Sequence, residues 1–242
     1  MTILVVGASG ATGRLLVEDL LGRGQRVRAI VRSPDKLPAN LRSHPLLTTV
    51  HAHLLDLSDD DLALHVGDCT AVASCLGHTL SFRGIYGPPR RLVTEATRRL
   101  CGAVRAARRP HPVRFVLMNT AGNRNRDLDE PTSLGQRCVV GLVRLLLPPH
   151  ADNEQAADVL RVGVGRDDGA IEWVVVRPDT LVDAGQVTPY DVHPSPTRSA
   201  IFDAGRTSRI NVAHFMADVI TNDDLWRRWR GQMPVIYDQG YA

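Results

Sequence analysis

Three glycines and two hydroxyl side chains sit within seven residues near the start of the chain, in Gly7-Ala8-Ser9-Gly10-Ala11-Thr12-Gly13. Such a turn leaves backbone N–H groups uncovered. A helix that begins inside it, at Thr12, points its positive end the same way, so the pattern suits a pyrophosphate. Gly7 is placed for the tight turn. Gly10 lets main chain and phosphate approach without a Cβ between them, and Gly13 lets the helix pack close to a sheet. Ser9 and Thr12 add hydroxyl donors. The same triplet could form a strand-to-helix turn without a ligand, but its context favours the phosphate reading. Ile3-Leu4-Val5-Val6 precedes it as a buried strand would. Leu15, Leu16, Leu20 and Leu21 follow at helical spacing, and Gly22 and Gly24 supply a stop.

A second set of residues falls at the ends of later apolar runs. Arg32-Ser33-Pro34-Asp35-Lys36 follows the second run, at the position that faces the adenosine ribose in a dinucleotide site. An acidic residue there binds the 2′-hydroxyl of NAD, whereas an arginine pairs with the 2′-phosphate of NADP. Arg32, joined by Ser33 and Lys36, therefore favours NADP(H). The competing reading stacks Arg32 on adenine and makes Ser33 a helix cap. Asp56-Leu57 follows the third run, where the carboxylate can accept from the adenine amino group or simply face water. Cys75-Leu76-Gly77-His78 follows the fourth, with Gly77 letting the backbone pass near the cofactor. Asn119-Thr120-Ala121-Gly122 follows the fifth, where nicotinamide should lie. Thr120 and Asn119 are candidate donors to a substrate oxygen. His78 is a candidate acid because an imidazole titrates near neutrality; otherwise it is a polar loop residue.

Strand-like runs at 3–6, 27–31, 47–51, 71–76, 114–118, 172–176 and 235–237 alternate with helical patterns at 12–23, 58–66, 90–108, 134–147, 153–163 and 212–220. This alternation predicts one α/β domain over 1–242, a doubly wound, mostly parallel Rossmann sheet with helices on both faces. Two irregular stretches, 122–135 and 183–205, follow strand ends and are expected to form the substrate pocket; surface insertions are the alternative.

Composition narrows the class. The chain has 242 residues, is 43% hydrophobic and carries a net charge of +3, as an ordinary globular domain does. Arg98, Arg99, Arg105, Arg108 and Arg109 cluster on one expected helix without interleaved aromatics, which reads as a solvated face before it reads as a nucleic-acid surface. Cys69, Cys75, Cys101 and Cys138 form no Cys-x-x-Cys pair, so reduced thiols in a cytoplasmic protein are expected. The first residues enter a strand directly, so no targeting segment is expected. The apolar run 138–147 is interrupted by Arg144 and is too short for a bilayer. His51 and His53 could share a strand face, but no third ligand is placed, and no metal is expected. His150, Asp152, Asn153 and Glu154 either cap the next helix, through Asp152 or Asn153, or line the pocket.

Taken together, these motifs resemble the atypical short-chain dehydrogenase/reductases, the NmrA-like, NAD(P)-binding group, and within it the biliverdin-IXβ/flavin reductase type. The matching pieces are the glycine motif, Val31-Arg32-Ser33-Pro34-Asp35-Lys36-Leu37, Leu76-Gly77, Trp173-Val174-Val175-Val176-Arg177-Pro178, and Thr207-Ser208-Arg209-Ile210-Asn211-Val212-Ala213-His214-Phe215-Met216. The resemblance implies a cofactor along the tops of the first five strands and a pocket built by later loops. Departures are visible too. Most short-chain dehydrogenases use Tyr-x-x-x-Lys, yet Tyr86, Tyr190, Tyr237 and Tyr241 have no lysine four residues on. Lys36 is the single lysine, and Arg90 four residues after Tyr86 is a poor substitute. The serine that ends strand five in the similar flavin reductases is matched by Thr120, and a histidine after strand six by Thr180. The expected activity is NADPH-dependent reduction of a ketone, quinone or flavin, with a conjugated, aromatic or polyketide-like substrate. Ketoreductases of antibiotic pathways are among the atypical relatives. A non-catalytic dinucleotide sensor and an epimerase or isomerase are the alternatives. The protein is expected to be a monomer or small homo-oligomer.

Overall fold

Burial on both faces sets the place of the first strand, β1 (Thr2–Val6). In the computed structural model its Ile3, Leu4 and Val5 are fully inaccessible. The structure describes residues 1–78, 86–128, 130, 139, 141, 147–200 and 202–240. From β1 the chain runs through α1 (Ala11–Gly22), β2 (Arg26–Val31), α2 (Ala39–Arg42), β3 (Leu47–His51), α3 (Asp59–Val66), β4 (Ala71–Ser74), α4 (Leu92–Ala106) and β5 (Val113–Met118). It continues through α5 (Pro148–Asp158), β6 (Ile171–Pro178), β7 (Thr180–Val182), β8 (Tyr190–His193), β9 (Arg206–Ser208), α6 (Arg209–Thr221), α7 (Asp223–Trp229) and β10 (Val235–Asp238).

Eight strands form one sheet in the order β3-β2-β1-β4-β5-β6-β10-β8, parallel throughout except where β8 runs against β10. Alternate residues of each strand feed two cores. Ile3 and Val5 face the layer of α1, α6 and α7, and Leu4 and Val6 face the layer of α3, α4 and α5. The expected doubly wound parallel sheet is thus observed. The strand order reverses between β1 and β4, and a crevice opens there above the carboxyl ends of the strands.

Several boundaries differ from the sequence expectation for identifiable reasons. β4 ends at Ser74, so Cys75 and Leu76 belong to the loop beyond it. The helix expected from 153 begins at Pro148, because prolines at the first helical positions forfeit no intrahelical bond. It passes into a wider, π-type turn at Val159–Val164. The stretch 183–205, expected to be irregular, contains the edge strand β8, and β7 and β9 pair in a small second sheet. α7 went unpredicted although Asn222 caps it, accepting from the Asp224 and Leu225 amides. The expected helix 134–147 and Cys138 lie outside the described residues, apart from the isolated positions 139, 141 and 147.

The glycine turn holds α1 against the sheet with no room for side chains. Gly7 has φ +75°, and a Cβ there would come within 2.5 Å of the Cys75 carbonyl; at Gly13 it would come within 2.2 Å of the Gly7 carbonyl oxygen. Both obstacles are backbone. Gly13→Ala is therefore predicted to lower stability by about 3 kcal/mol or more, read from urea unfolding; a loss below ~1 kcal/mol would contradict this packing.

Candidate functional site

A cleft of about 630 Å³ lies over the ends of β1, β2, β4 and β5, a size usual for small-molecule and cofactor sites. Gly7, Ser9, Gly10, Ala11 and Thr12 form one wall. Gly10 is the residue preceding α1, and no side chain caps this helix. Elsewhere Ser58 caps α3, Ser208 caps α6 and Asn222 caps α7. The first amides of α1 are thus left facing the cleft, where an anion can satisfy them. A Cβ at Gly10 would meet only the Gly7 carbonyl oxygen, at 3.1 Å. This uncapped, open turn fits a diphosphate.

At the β2 end, Arg32 and Lys36 line the cleft, and both are exposed. Asp35 between them pairs instead with Arg42, at 2.8 Å. The Arg32 carbonyl accepts from His51 Nε2 at 3.1 Å if that nitrogen carries the proton. Ser33 precedes the short turn Pro34–Lys36 but its hydroxyl caps nothing, and it does not line the cleft. Asp56 and Leu57 are also absent from the lining. The turn Leu54–Asp56 leaves the Asp56 carboxylate 82% exposed, and Arg99 draws the carbonyls of Leu54, Leu55 and Leu57 toward α4. His53 lines the cleft in their place. Because β3 ends at His51, His51 and His53 do not share a strand face; among the described residues no group of three possible ligands could hold a metal. Gly13 packs against the Gly7 carbonyl beneath the turn and does not line the cleft.

The opposite end is built by loops after β4 and β5 and by α5. Cys75, Leu76, Gly77, His78, Asn119 and Thr120 all line it. Burial pushes the Cys75 thiol up to about 12, so it is an inert wall. The Asn119 side chain is engaged structurally: its amide donates to the Asn153 carbonyl at 2.8 Å, and its oxygen accepts from the Thr120 amide at 2.9 Å. Thr120 Oγ accepts from the Gly122 amide at 3.2 Å, which leaves the hydroxyl proton available to a ligand. Thr180 is exposed at the start of β7 and is not part of the lining; Leu181 and Arg209 are, and sequence reasoning missed both.

Asp152 is the buried node of this end. It sits inside α5, with its side chain 1% exposed, and does not cap its own helix as expected. Its carboxylate accepts from the Val93 and Thr94 amides at 2.8 and 2.9 Å, capping α4, and lies 2.8 Å from His78 Nε2. The cap was foreseen for the wrong helix, because 58 residues separate Asp152 from Thr94. Burial alone would raise this carboxyl; the bonds from His78 and from Thr94 and Val93 outweigh burial and hold it below the usual carboxylate range.

The described parts of the two loops expected to form the pocket do not line this cleft. They are tied to β6 through Arg177, which is fully buried. Arg177 pairs with Glu130 at 2.6 Å and also donates to the carbonyls of Asn123, Met233 and Pro194. In the expected basic cluster on α4, Arg98, Arg99 and Arg105 pair with Glu95, Asp59 and Asp168, and Arg109 donates to the Gly67 carbonyl. No helix among the described residues is long and apolar enough to cross a membrane.

Comparison with known proteins agrees with this geometry. A family model described as NAD(P)H-binding matches residues 7–223. A short-chain dehydrogenase/reductase from Veillonella parvula, solved in complex with NADP, superposes with a TM-score of 0.70 at 16% identity, covering 99% of this chain and 95% of that one. An oxidoreductase from Lactococcus lactis gives 0.69 at 15% identity over 98% and 91%. A candidate NADH-flavin reductase from Streptococcus pneumoniae gives 0.64 at 18% over 99% and 100%. An uncharacterized chloroplastic protein of Arabidopsis thaliana is 37% identical over 73 residues, which is 30% of this chain and 26% of that relative's length.

Asp152 also sets a pH dependence. A carboxyl whose folded value is depressed adds stability above its unfolded value of about 3.9 and loses it as pH falls through the lower folded value. Wild-type stability is thus predicted to drop below pH ~4 more steeply than that of Asp152→Asn. Asp152→Ala should lose about 3 kcal/mol at neutral pH. Urea midpoints measured across acid pH check both; parallel wild-type and Asp152→Asn curves would contradict the assignment.

Proposed function

The chain belongs to the NAD(P)H-binding family, and from that membership we propose that it is an NADPH-dependent reductase of a carbonyl group on a conjugated or aromatic small molecule. The observation that carries this reading is the polarity of the cleft. Two cations, Arg32 and Lys36, stand at one end, uncapped amides of α1 at the middle, and a hydroxyl, Thr120, at the other. Arg32 and Lys36 would hold a 2′-phosphate, and Gly10, Ala11 and Thr12 the diphosphate. The NADP complex of the Veillonella protein supports the same choice of coenzyme. When bound, the coenzyme supplies a hydride to an electrophilic carbon. The chain's own residues orient the substrate and stabilise the oxygen on which charge develops. Thr120 is the donor for that oxygen, held in place by its bond from the Gly122 amide. A polyketide-type substrate and a cytoplasmic setting remain part of this proposal by analogy with atypical reductases.

A second reading is a non-catalytic dinucleotide sensor. It is favoured by the placement of Lys36, the single lysine, beside Arg32 and away from Thr120, so no Tyr/Lys dyad can form. Following NADPH absorbance with aromatic ketones, quinones and flavin separates the two. Oxidation of NADPH supports the reductase; saturable NADPH binding without oxidation of any of them supports the sensor.

Arg32→Glu is predicted to weaken NADPH binding about 30-fold while leaving NADH within a few-fold, since a charge-assisted bond to phosphate is lost. Calorimetric titration with both coenzymes measures this, and equal losses would remove the 2′-phosphate assignment. Thr120→Val is predicted to lower kcat about 100-fold with the NADPH dissociation constant nearly unchanged; unchanged turnover would take Thr120 out of the reaction.

A further inference from the structure

We propose that His78 delivers the proton that completes carbonyl reduction in this cleft, and that Asp152 is the positioning residue that holds it there. The inference rests on the reductase reading and names the acid that reading leaves open. His78 lines the cleft beyond β4, its Nε2 is 2.8 Å from Asp152 Oδ2, and the two side chains are 5% and 1% exposed. A carboxylate so deeply buried persists only when paired and hydrogen-bonded. Asp152 meets that condition through His78 and the first amides of α4.

Other groups fail as the acid for separate reasons. Thr120 donates a hydrogen bond but carries no proton to give up at neutral pH. The Asn119 amide is engaged with Asn153. Lys36 and His53 flank Arg32 at the far end of the cleft. Tyr190 and Tyr237 are outside the lining, and burial raises both phenols above their ordinary range. Among the described residues lining the cleft, His78 is the imidazole on the Thr120 side, and imidazole is the side chain suited to acid–base exchange near neutral pH.

Asp152 favours the imidazolium, while the amide end of α4 opposes it. Among the described residues the surrounding elements add few charges. α5 brings His150 and Glu154, 3.5 Å from one another, α4 brings Arg91 at its N-cap position, and β5 ends in the uncharged Asn119 and Thr120. In the proposed step the carbonyl carbon receives a hydride with its electron pair from reduced nicotinamide, and the π pair moves onto oxygen. The imidazolium N–H bond breaks as the O–H bond forms. The neutral imidazole then takes a proton from solvent.

Two measurements on the full chain test this. With NADPH and 1-tetralone or 9,10-phenanthrenequinone, His78→Gln should lower kcat about 100-fold while NADPH binding stays within twofold. The alkaline fall in the wild-type kcat/KM profile should vanish with it. Without coenzyme, the His78 Cε1–H proton resonance, assigned by its loss in His78→Gln, should titrate at lower pH in Asp152→Asn than in wild type. Turnover by His78→Gln within threefold of wild type, or an unmoved titration in Asp152→Asn, overturns the proposal while leaving the reductase reading intact. Failure of the wild type to oxidise NADPH with any carbonyl substrate overturns both.

Discussion

The contact between two stretches of bare backbone governs the whole arrangement. Gly7 turns against the Cys75 carbonyl at the point where β1 and β4 part, and Gly13 brings α1 down onto Gly7. That double approach fixes the helix axis relative to the sheet. It also leaves the uncapped start of α1 pointing into the crevice. The remaining features of the cleft take their positions from this one: the cations after β2 on one side, the hydroxyl after β5 on the other. A side chain at either glycine would tilt the helix and close the space between them, so packing and ligand recognition here are one requirement.

On the far side of the sheet a carboxylate has the equivalent organising role. Asp152 joins three elements: the segment after β4, the start of α4, and α5. Its charge offsets the unsatisfied amides of a fifteen-residue helix and orients an imidazole in the same act. The chain therefore places anion-seeking backbone on one wall of the crevice and an anion already neutralising such backbone on the other. Only the first wall is left for a ligand to complete.

What could be read from the sequence followed the range of the interaction responsible. The glycine turn and the two-sided strands are local patterns, and both are legible in the sequence within a residue or two. For Asp56 the sequence leaves two alternatives open, and the water-facing one is observed, beside carbonyls that Arg99, more than forty residues away, pulls toward α4. β8 was missed for a similar reason: Tyr190–His193 becomes a strand through pairing with Val235–Asp238, and its own residues alternate only weakly. Asp152 carried a correct chemical signal, a capping carboxylate after two prolines, but the helix it serves begins in another part of the chain. Family membership was legible from the motifs, and the family match over 7–223 agrees with it.

The Arg177–Glu130 pair carries a consequence for how this scaffold can diversify. One guanidinium, with no access to water, is bonded to the carbonyls of Asn123 and Pro194 and to the Glu130 carboxylate, so two segments distant in sequence hang from a single peg. Exchanging either segment alone, by grafting or by drift, strands a cation in a dry interior. The two must change in concert, by paired replacement of both segments with the peg retained.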